Sequence, residues 1–547
     1  MVEEQRSARF TLRGWILGVS LCLAATTAMP QSAAPARSQR PSSSAAPSAT
    51  APAPQKNPAP ALITPDQASN LFADVNQIMK FDSNDSGLPI KSPVKRQLTT
   101  RAAVERYLEQ KFNNDKDAQR MERDEIVLKK FGLLDRDFAL RPFLLALLKE
   151  QIEAYYDTKT KTIYLLNWID PEQQKPVLAH ELTHALQDQS VDLEKWDDQT
   201  PNHVSHTAAG DQAHLAKDEM DTARDAVAEG QATAVMLDYA LKPMGKSLIK
   251  DPEVSAMVEK HMTSSGSPVM ARAPLVISES LLFPYRQGLS FEQDVWMDQG
   301  RTAAFLGALD RPPTSSWEII NPRYYEEHRI PPIPLLPNIH PLVDKHYRPY
   351  DIGQMGQLDV RILTQLFGGD QASRDLTPAW DGGLYWAGQL RSAKTPAEQD
   401  TTKSLALFYL SMWTDPSSAQ DFANLFAGNL GNEYSSLHLD TAAQSSAPQV
   451  DGEVEEVYST EEGPVVITTR GNMVFVAESF PLSLARRLTE LILNAQGAGS
   501  MRMAILAPPY PNLEPPPTEP LTAGLVRFFE GCGVMKAAVD AVMGAAR

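Results

Sequence analysis

The chain has 547 residues, of which 42% are hydrophobic and 22% charged, so it is long enough for several domains with apolar cores. Its formal net charge of −17 argues against nucleic acid as a partner and gives no reason to expect docking on an anionic membrane surface. The two cysteines are Cys22, in a segment that looks removable, and Cys532, so no internal disulfide is expected.

The N-terminal residues have the pattern of a secretory signal peptide, which we place at 1–28. Three arginines precede a short apolar stretch, and small residues follow it. The stretch is short for a bilayer span, which favours cleavage over the alternative of an uncleaved N-terminal anchor. We therefore expect a secreted or periplasmic protein. Residues 29–62 are rich in Pro, Ala and Ser and are predicted to be a disordered linker.

The first ordered part of the chain is predicted to be helical. Its first helix begins at Thr64-Pro65-Asp66, a cap residue followed by an N-terminal proline and an acid, and Pro142 opens the fourth. A β-hairpin follows, because apolar runs at 154–157 and 162–166 flank a polar turn. Two roles are open for the strand at 163–166: an exposed edge that pairs with an extended peptide, or a purely structural strand.

The next helix, which Pro171 opens, carries the sequence Ala179-His180-Glu181-Leu182-Thr183-His184-Ala185-Leu186. A helical step of 100° per residue puts His180, Glu181 and His184 on one face and apolar residues on the other. Two imidazoles and a carboxylate at H-E-x-x-H spacing are typical of zinc peptidases, as two metal ligands and a general base. The alternative is a chance match that involves two ordinary surface histidines.

A catalytic zinc site needs a third protein ligand and an open position for water. A metzincin continuation is excluded, because Gln187 and Ser190 occupy the positions of its glycine and third histidine. A later helix over 218–241 is apolar on nearly all sides and therefore buried, yet it carries Asp225 and Glu229 on one face.

We predict that Glu229 is the third metal ligand and that Asp225 supports the site from one turn away. The alternative is a structural ion pair with Arg224 or another arginine. Weaker candidates for the third ligand are Asp211, Asp218 and Glu219.

In this interpretation Zn²⁺ activates a water molecule, and Glu181 takes the proton of that water and delivers it to the leaving amine. The second ring nitrogen of each histidine is expected to donate to a carboxylate or carbonyl. Asp188 either accepts one of these bonds or caps the helix. The donor to the oxyanion is left open among Tyr155, Tyr156, His203, His206 and Arg224. His203, His206 and His214 lie in a polar stretch that is predicted to be irregular, where lone histidines are usually solvated.

The remainder of the chain divides into three parts by its pattern. Residues 246–375 are predicted to be helical and rich in proline, with an extended segment at 330–337. Residues 376–500 alternate predicted strands and helices. Residues 501–547 are predicted to be a proline-rich segment followed by a C-terminal helix.

The histidine helix resembles the active-site helix of gluzincin-type zinc metallopeptidases, especially poorly characterised bacterial secreted members. The resemblance rests on the sequence Val177-Leu178-Ala179-His180-Glu181-Leu182-Thr183-His184-Ala185-Leu186-Gln187-Asp188-Gln189. It extends to the preceding strand Ala154-Tyr155-Tyr156-Asp157 and to the later helix Ala226-Val227-Ala228-Glu229-Gly230-Gln231-Ala232. Two looser similarities lie at 311–316 and 379–383. The resemblance covers 150–240 well and 300–480 loosely, and it implies that Glu229 is the third ligand.

The expected fold class is α+β: a mostly helical, zincin-like metallopeptidase core with a short β-hairpin over 63–245, followed by a C-terminal antiparallel-sheet region. The expected function is a secreted zinc-dependent peptidase that acts on a peptide or protein. Two alternatives stay open. One is a non-catalytic envelope binding or assembly protein with a vestigial or structural metal site, and the other is a hydrolase of a non-protein envelope substrate such as peptidoglycan cross-links.

Overall fold

A computed structural model describes residues 62–106, 124–150, 154–197, 199, 204–251, 268–447 and 450–497. The predicted signal peptide, residues 29–61 of the predicted linker, His203 and the predicted segment 501–547 lie outside these ranges. Within them, no helix combines the length and the apolar character that a membrane span requires.

The first half of the described chain is mainly helical. Its elements are α1 (Pro65–Ser86), β1 (Lys95–Thr99), α2 (Leu140–Glu150), β2 (Ala154–Asp157), β3 (Thr162–Leu166), α3 (Pro171–Val191), α4 (Leu193–Asp197), α5 (Ala208–Leu215), α6 (Met220–Leu241) and α7 (Leu275–Gln299). Residues 101–106 and 124–130 are also helical. The predicted start of α1 is confirmed, because the Thr64 hydroxyl accepts from the Gln67 N–H while the Gln67 side chain accepts from the Thr64 N–H.

The second half combines helices with a large sheet. Its elements are α8 (Ala308–Asp310), α9 (Ser316–Ile320), α10 (Pro322–Glu326), α11 (His340–Val343), β4 (Tyr347–Gln354), α12 (Gln357–Leu376), β5 (Trp380–Leu390), α13 (Pro396–Gln399), β6 (Leu405–Trp413), α14 (Pro416–Glu433), β7 (Leu437–Leu439), α15 (Thr441–Ser445), β8 (Glu453–Thr460), β9 (Gly463–Arg470), β10 (Met473–Glu478) and α16 (Leu482–Ala495). Short 3₁₀ turns lie at Lys242–Met244, Met270–Arg272, Thr377–Ala379 and Thr402–Ser404, and a π turn at Ala303–Gly307.

The predicted hairpin is present, but its second strand is not an edge. β2 pairs antiparallel with β3, and β1 pairs parallel with the other side of β3, so the strand order is β1-β3-β2. Of the two roles left open for 163–166, the exposed edge is therefore wrong, and the structural strand agrees with the pairing. β1 comes from more than sixty residues upstream, and a pairing over that separation leaves no periodic pattern in the local sequence. Among the described strands, β2 is the edge nearest α3.

The stretch after α3 is more ordered than predicted. α3 continues to Val191, and Asp192 ends it in a left-handed conformation with φ of 57°, its N–H bonded to the Asp188 carbonyl. The Thr207 hydroxyl caps α5 by accepting from the Gly210 N–H at 3.1 Å. The end of α3 at Asp192 and the start of α5 at Thr207 thus lie within the stretch up to residue 215 that was predicted to be irregular.

The large sheet is antiparallel, in the order β4-β5-β6-β10-β9-β8-β7. The strands predicted in 383–477 are confirmed, whereas β4 arises within the part that was predicted to be helical and rich in proline. Alternate residues face opposite sides, as the twofold period of a strand requires. Tyr409 and Val476 join the core shared with the helical half, and Phe408 and Phe475 join a second core with α16. The chain is therefore α+β, as expected, and its helical half and sheet share a continuous apolar core.

Candidate metal centre

Polar contacts at the first turns of α3 fix this helix against the three-stranded sheet β1-β3-β2. The Asp170 side chain caps the helix by accepting from the Glu172 N–H at 2.9 Å. Buried Gln174 accepts from the Leu166 N–H and donates to the carbonyls of Leu166 and Ile169, at 3.2, 3.0 and 2.8 Å. The end of β3 is therefore tied to the start of α3, which holds the hairpin beside the histidines.

α3 and α6 pack side by side and bring the three predicted ligands together. His180 Nε2 lies 2.8 Å from His184 Nε2 and 3.0 Å from Glu229 Oε2, and His184 Nε2 lies 3.7 Å from the same oxygen. All three side chains are buried. The helix that carries Glu229 was predicted to be buried because it is apolar on nearly all sides. Ala226 and Val227 of this helix do lie in the core with Leu182 of α3.

The three atoms fit a metal ion in distance and in donor type. A triangle with these sides has a point about 2 Å from every corner, which matches zinc bonds to imidazole nitrogen and carboxylate oxygen. Both oxygens of Glu229 are buried, and neither accepts a well-aligned hydrogen bond from the described residues. A cation at that point would neutralise a buried carboxylate whose close polar neighbours are the two histidine nitrogens.

No family model, curated protein or solved structure matches this chain. The geometry of these side chains therefore supports the site without help from relatives. Among the described residues, His180, His184 and Glu229 are the one group of three potential ligands that converges closely enough to hold an ion.

The electrostatics of the group favour the protonation states that bind metal. Burial, and then the neighbouring His184, lowers the pKa of His180 to about 4, although Glu229 opposes the shift. Burial would raise the pKa of Glu229, but the two histidines outweigh it and lower that pKa to about 2. His180 is therefore neutral and Glu229 ionised at pH 7, as ligation requires.

Glu181, the predicted base, is held on the β2 side of α3. Its Oε2 accepts from the backbone N–H of Tyr156 at 2.9 Å, whereas its buried Oε1 accepts no hydrogen bond from the described residues. Burial, followed by the charge of Glu229, raises the pKa of Glu181 well above its ordinary value, and the N–H of Tyr156 opposes this shift. One oxygen is thus anchored and the other is left as an acceptor.

Two of the predicted oxyanion donors have their polar atoms committed elsewhere. The Tyr156 hydroxyl donates to Asp188 Oδ2 at 2.7 Å, and the Arg224 guanidinium donates to the carbonyl of Trp196 and stacks on its ring. His206 lines a separate surface cavity of about 490 Å³ together with His340. Tyr155 stacks on Tyr164 at 4.6 Å. Among the described residues, Tyr156, Arg224 and His206 are therefore engaged away from the three predicted ligands, and the choice of oxyanion donor stays open.

The carboxylate of Asp188 is engaged on the side of α3 that faces β2 and α4. It accepts from the Tyr156 hydroxyl, from Lys161 Nζ at 2.7 Å and from the backbone N–H of Leu193 at 3.2 Å. Its side chain therefore holds the start of α4 and does not cap α3, and His184 Nδ1 pairs with Gln187 and not with Asp188, so neither predicted role is confirmed. Asp225 is buried on α6, and its predicted support of the site stays a prediction.

The three weaker ligand candidates lie in other contacts. Asp211 pairs with His340 at 2.9 Å, and Asp218 with His214 at 3.2 Å. Glu219 accepts from the Ser316 hydroxyl at 2.8 Å. Asp211 and Glu219 therefore connect α5 and α6 to the second half of the chain, and Asp218 does so by accepting from the Gln354 N–H at 2.6 Å.

Two residues near the ligands were missed by sequence reasoning. The ring of Tyr285, on α7, stacks 6.3 Å from that of His180, and it comes from a region to which no site was assigned. Gln187 accepts from His184 Nδ1 at 2.8 Å. Its position three residues after His184 was a usable signal, because side chains at that spacing are neighbours on a helix.

Proposed function

We propose that this chain is an exported zinc-dependent peptidase with a zincin-like core of the gluzincin type. The observation that carries the proposal is the convergence of His180, His184 and Glu229, with the Oε1 of Glu181 left without a donor beside them. An H-E-x-x-H helix that meets a glutamate from a later helix is the ligand arrangement of such peptidases.

A zinc ion held by these three residues would supply Lewis-acid activation of water and of the scissile carbonyl. The protein's own contribution is the orientation of Glu181. The backbone N–H of Tyr156 fixes one oxygen of that carboxylate, so the other oxygen is positioned to receive the proton of the attacking water. Glu181 then returns the proton to the leaving amine, so one carboxylate acts first as the base and then as the acid.

One observation favours a second candidate function, a non-catalytic envelope protein with a structural metal site. His180, Glu181, His184 and Glu229 are all 0% exposed, and a catalytic metal needs an open coordination position that a substrate can reach. A structural site, in contrast, is closed.

The two functions differ in the effect of Glu181→Gln, tested on the full chain. The amide preserves the volume and removes the base, so the peptidase predicts about one zinc per chain in both proteins and a rate roughly 10²–10⁴-fold lower in the variant. Metal content and cleavage of a fluorogenic peptide library are measured together. Glu172→Gln, an exposed position on the same helix, is the matched control and should keep full activity.

The outcomes separate the two functions. Equal rates in Glu181→Gln and wild type would overturn Glu181 as the base. Stoichiometric zinc without peptide hydrolysis in wild type favours the structural site, unless cell-wall fragments are cleaved, which would instead identify a non-protein envelope substrate.

A further inference from the structure

The side-chain amide of Gln231, two residues after Glu229 on α6, is oriented by two backbone carbonyls of a neighbouring turn. Its amide nitrogen lies 3.0 Å from the carbonyl oxygen of Ala304 and 2.9 Å from that of Phe305, within the π turn Ala303–Gly307. A carbonyl oxygen only accepts, so the group that faces both of them must be the NH₂ of the amide. The oxygen of Gln231 therefore faces the opposite way, towards α3.

Gln187 of α3 is oriented by that oxygen and by a second, independent acceptor. Its amide nitrogen donates to Gln231 Oε1 at 2.9 Å and to the backbone carbonyl of Ala228 at 3.0 Å. Both partners present acceptors only, so the NH₂ of Gln187 must point at α6. Its own oxygen then points at His184 Nδ1, 2.8 Å away.

Because Gln187 presents an oxygen, His184 Nδ1 must carry the proton of the neutral ring, and Nε2 keeps its lone pair. That lone pair faces His180 Nε2 and Glu229 Oε2. The opposite tautomer would present an N–H to the metal position and leave the Gln187 oxygen without a donor in a buried site.

We propose that Gln187 and Gln231 form an amide relay that sets the tautomer and ring orientation of His184 from the π turn Ala303–Gly307. Both are positioning residues, and neither is expected to contact metal or substrate. The proposal rests on the metal site of the proposed function but not on peptidase activity. Gln187, Gln231 and His184 are each fully buried, so solvent does not supply a substitute partner.

The relay is tested with the full chain in four variants. Gln187→Met removes the acceptor of His184, and Gln231→Met removes the anchor of Gln187 without touching the histidine. Gln187→Glu keeps an acceptor for His184 Nδ1–H and loses the donor to Gln231. Thr233→Val is the control on α6, because the buried Thr233 hydroxyl has no hydrogen-bond partner among the described residues.

Two properties are measured, zinc affinity by chelator competition and the tautomer of His184 by ¹⁵N NMR of the metal-free protein. Outer-shell partners of ligating histidines typically change metal affinity roughly 10–100-fold, so we expect a loss of this size in Gln187→Met and a smaller one in Gln231→Met. Gln187→Glu should retain the Nδ1–H tautomer and most of the affinity even if it melts earlier. Thr233→Val should match wild type.

Wild-type affinity together with the Nδ1–H tautomer in Gln187→Met would overturn the relay. Equal losses in Gln187→Met and Gln187→Glu would also overturn it, because they indicate general disruption of packing. If wild type binds no zinc, the proposed function fails separately, and the tautomer of metal-free His184 still decides on the relay.

Discussion

Gly230 of α6 and Gly288 of α7 are in direct backbone contact. A Cβ added to Gly230 would lie 2.3 Å from the carbonyl carbon of Gly288, and one added to Gly288 would lie 2.1 Å from the carbonyl oxygen of Ala226. Atoms do not approach this closely, so the two helices can cross here only because both positions lack a side chain. Since Glu229 directly precedes Gly230, the crossing also determines where the carboxylate of Glu229, the proposed third ligand, lies.

Gly230→Ala and Gly288→Ala should therefore each lower the free energy of unfolding by about 1–3 kcal/mol, because a methyl group forces α6 and α7 apart. Urea denaturation measures the loss. We also expect weaker zinc binding in Gly230→Ala, because the displaced segment carries Glu229.

Gly428 supplies the control for both variants. It lies within α14, and a Cβ there would meet nothing within 4 Å. Gly428→Ala should be neutral or stabilise the protein by up to about 1 kcal/mol, since alanine is the better helix former. If the two crossing variants behave like Gly428→Ala, the backbones of α6 and α7 are not in contact.

Zinc should stabilise the protein through Glu229 and not through the other buried acids of α5 and α6. At a free concentration about one hundred times Kd, zinc should add about 2.7 kcal/mol to the stability of wild type, seen as a higher Tm after chelator treatment and metal addition. Glu229→Ala should abolish this rise. Glu219→Gln is the comparison: this acid is also buried beside α6, yet it bonds Ser316, so zinc should still raise its Tm. A zinc response that is lost in Glu219→Gln but kept in Glu229→Ala would reverse the assignment of the third ligand.

The sequence predicted those parts of the site that depend on local spacing. His180, Glu181 and His184 are four residues apart or less, so one helical turn fixes their relation. Glu229 was found because a carboxylate on a helix that is apolar on nearly all sides must be buried and needs a partner. Five of the seven strands of the C-terminal sheet were likewise predicted and are confirmed, whereas β4 and β7 were not predicted.

What the sequence did not predict depends on contacts between distant segments. β1 turns β3 into a central strand by pairing across more than sixty residues, and Tyr285 reaches His180 from a helix about one hundred residues away. Gln231 has no helical neighbour that reveals its role, because its partners lie in the π turn and on α3. The spacing of apolar residues within one segment does not reveal contacts with a distant segment.

Tyr156 offers a test of whether its side chain or its backbone serves the site. The hydroxyl donates to Asp188 Oδ2, whereas the backbone N–H donates to Glu181. Tyr156→Phe removes only the hydroxyl bond, so we expect a loss of about 1–2 kcal/mol in urea denaturation and hydrolysis within a fewfold of wild type. If kcat instead falls by about a hundredfold or more while KM is unchanged, the hydroxyl is identified as an oxyanion donor.

A buried acid pair, Glu433 of α14 and Glu478 of β10, should make stability depend on pH. Glu433 of α14 accepts from Asn429 at 2.9 Å, and burial, followed by the charge of Glu478, raises its pKa from 4.5 to about 8. Between these two pH values the unfolded chain loses this proton while the folded chain keeps it, so stability falls as pH rises through that window. Glu433→Gln cannot ionise and should be more stable than wild type at about pH 8, by about 1–3 kcal/mol. The difference should vanish below about pH 4, where Glu433 becomes protonated in both states, and urea denaturation of both proteins across this range measures it. A difference that is the same at both ends of the range would mean that the substitution acts through packing and not through the proton.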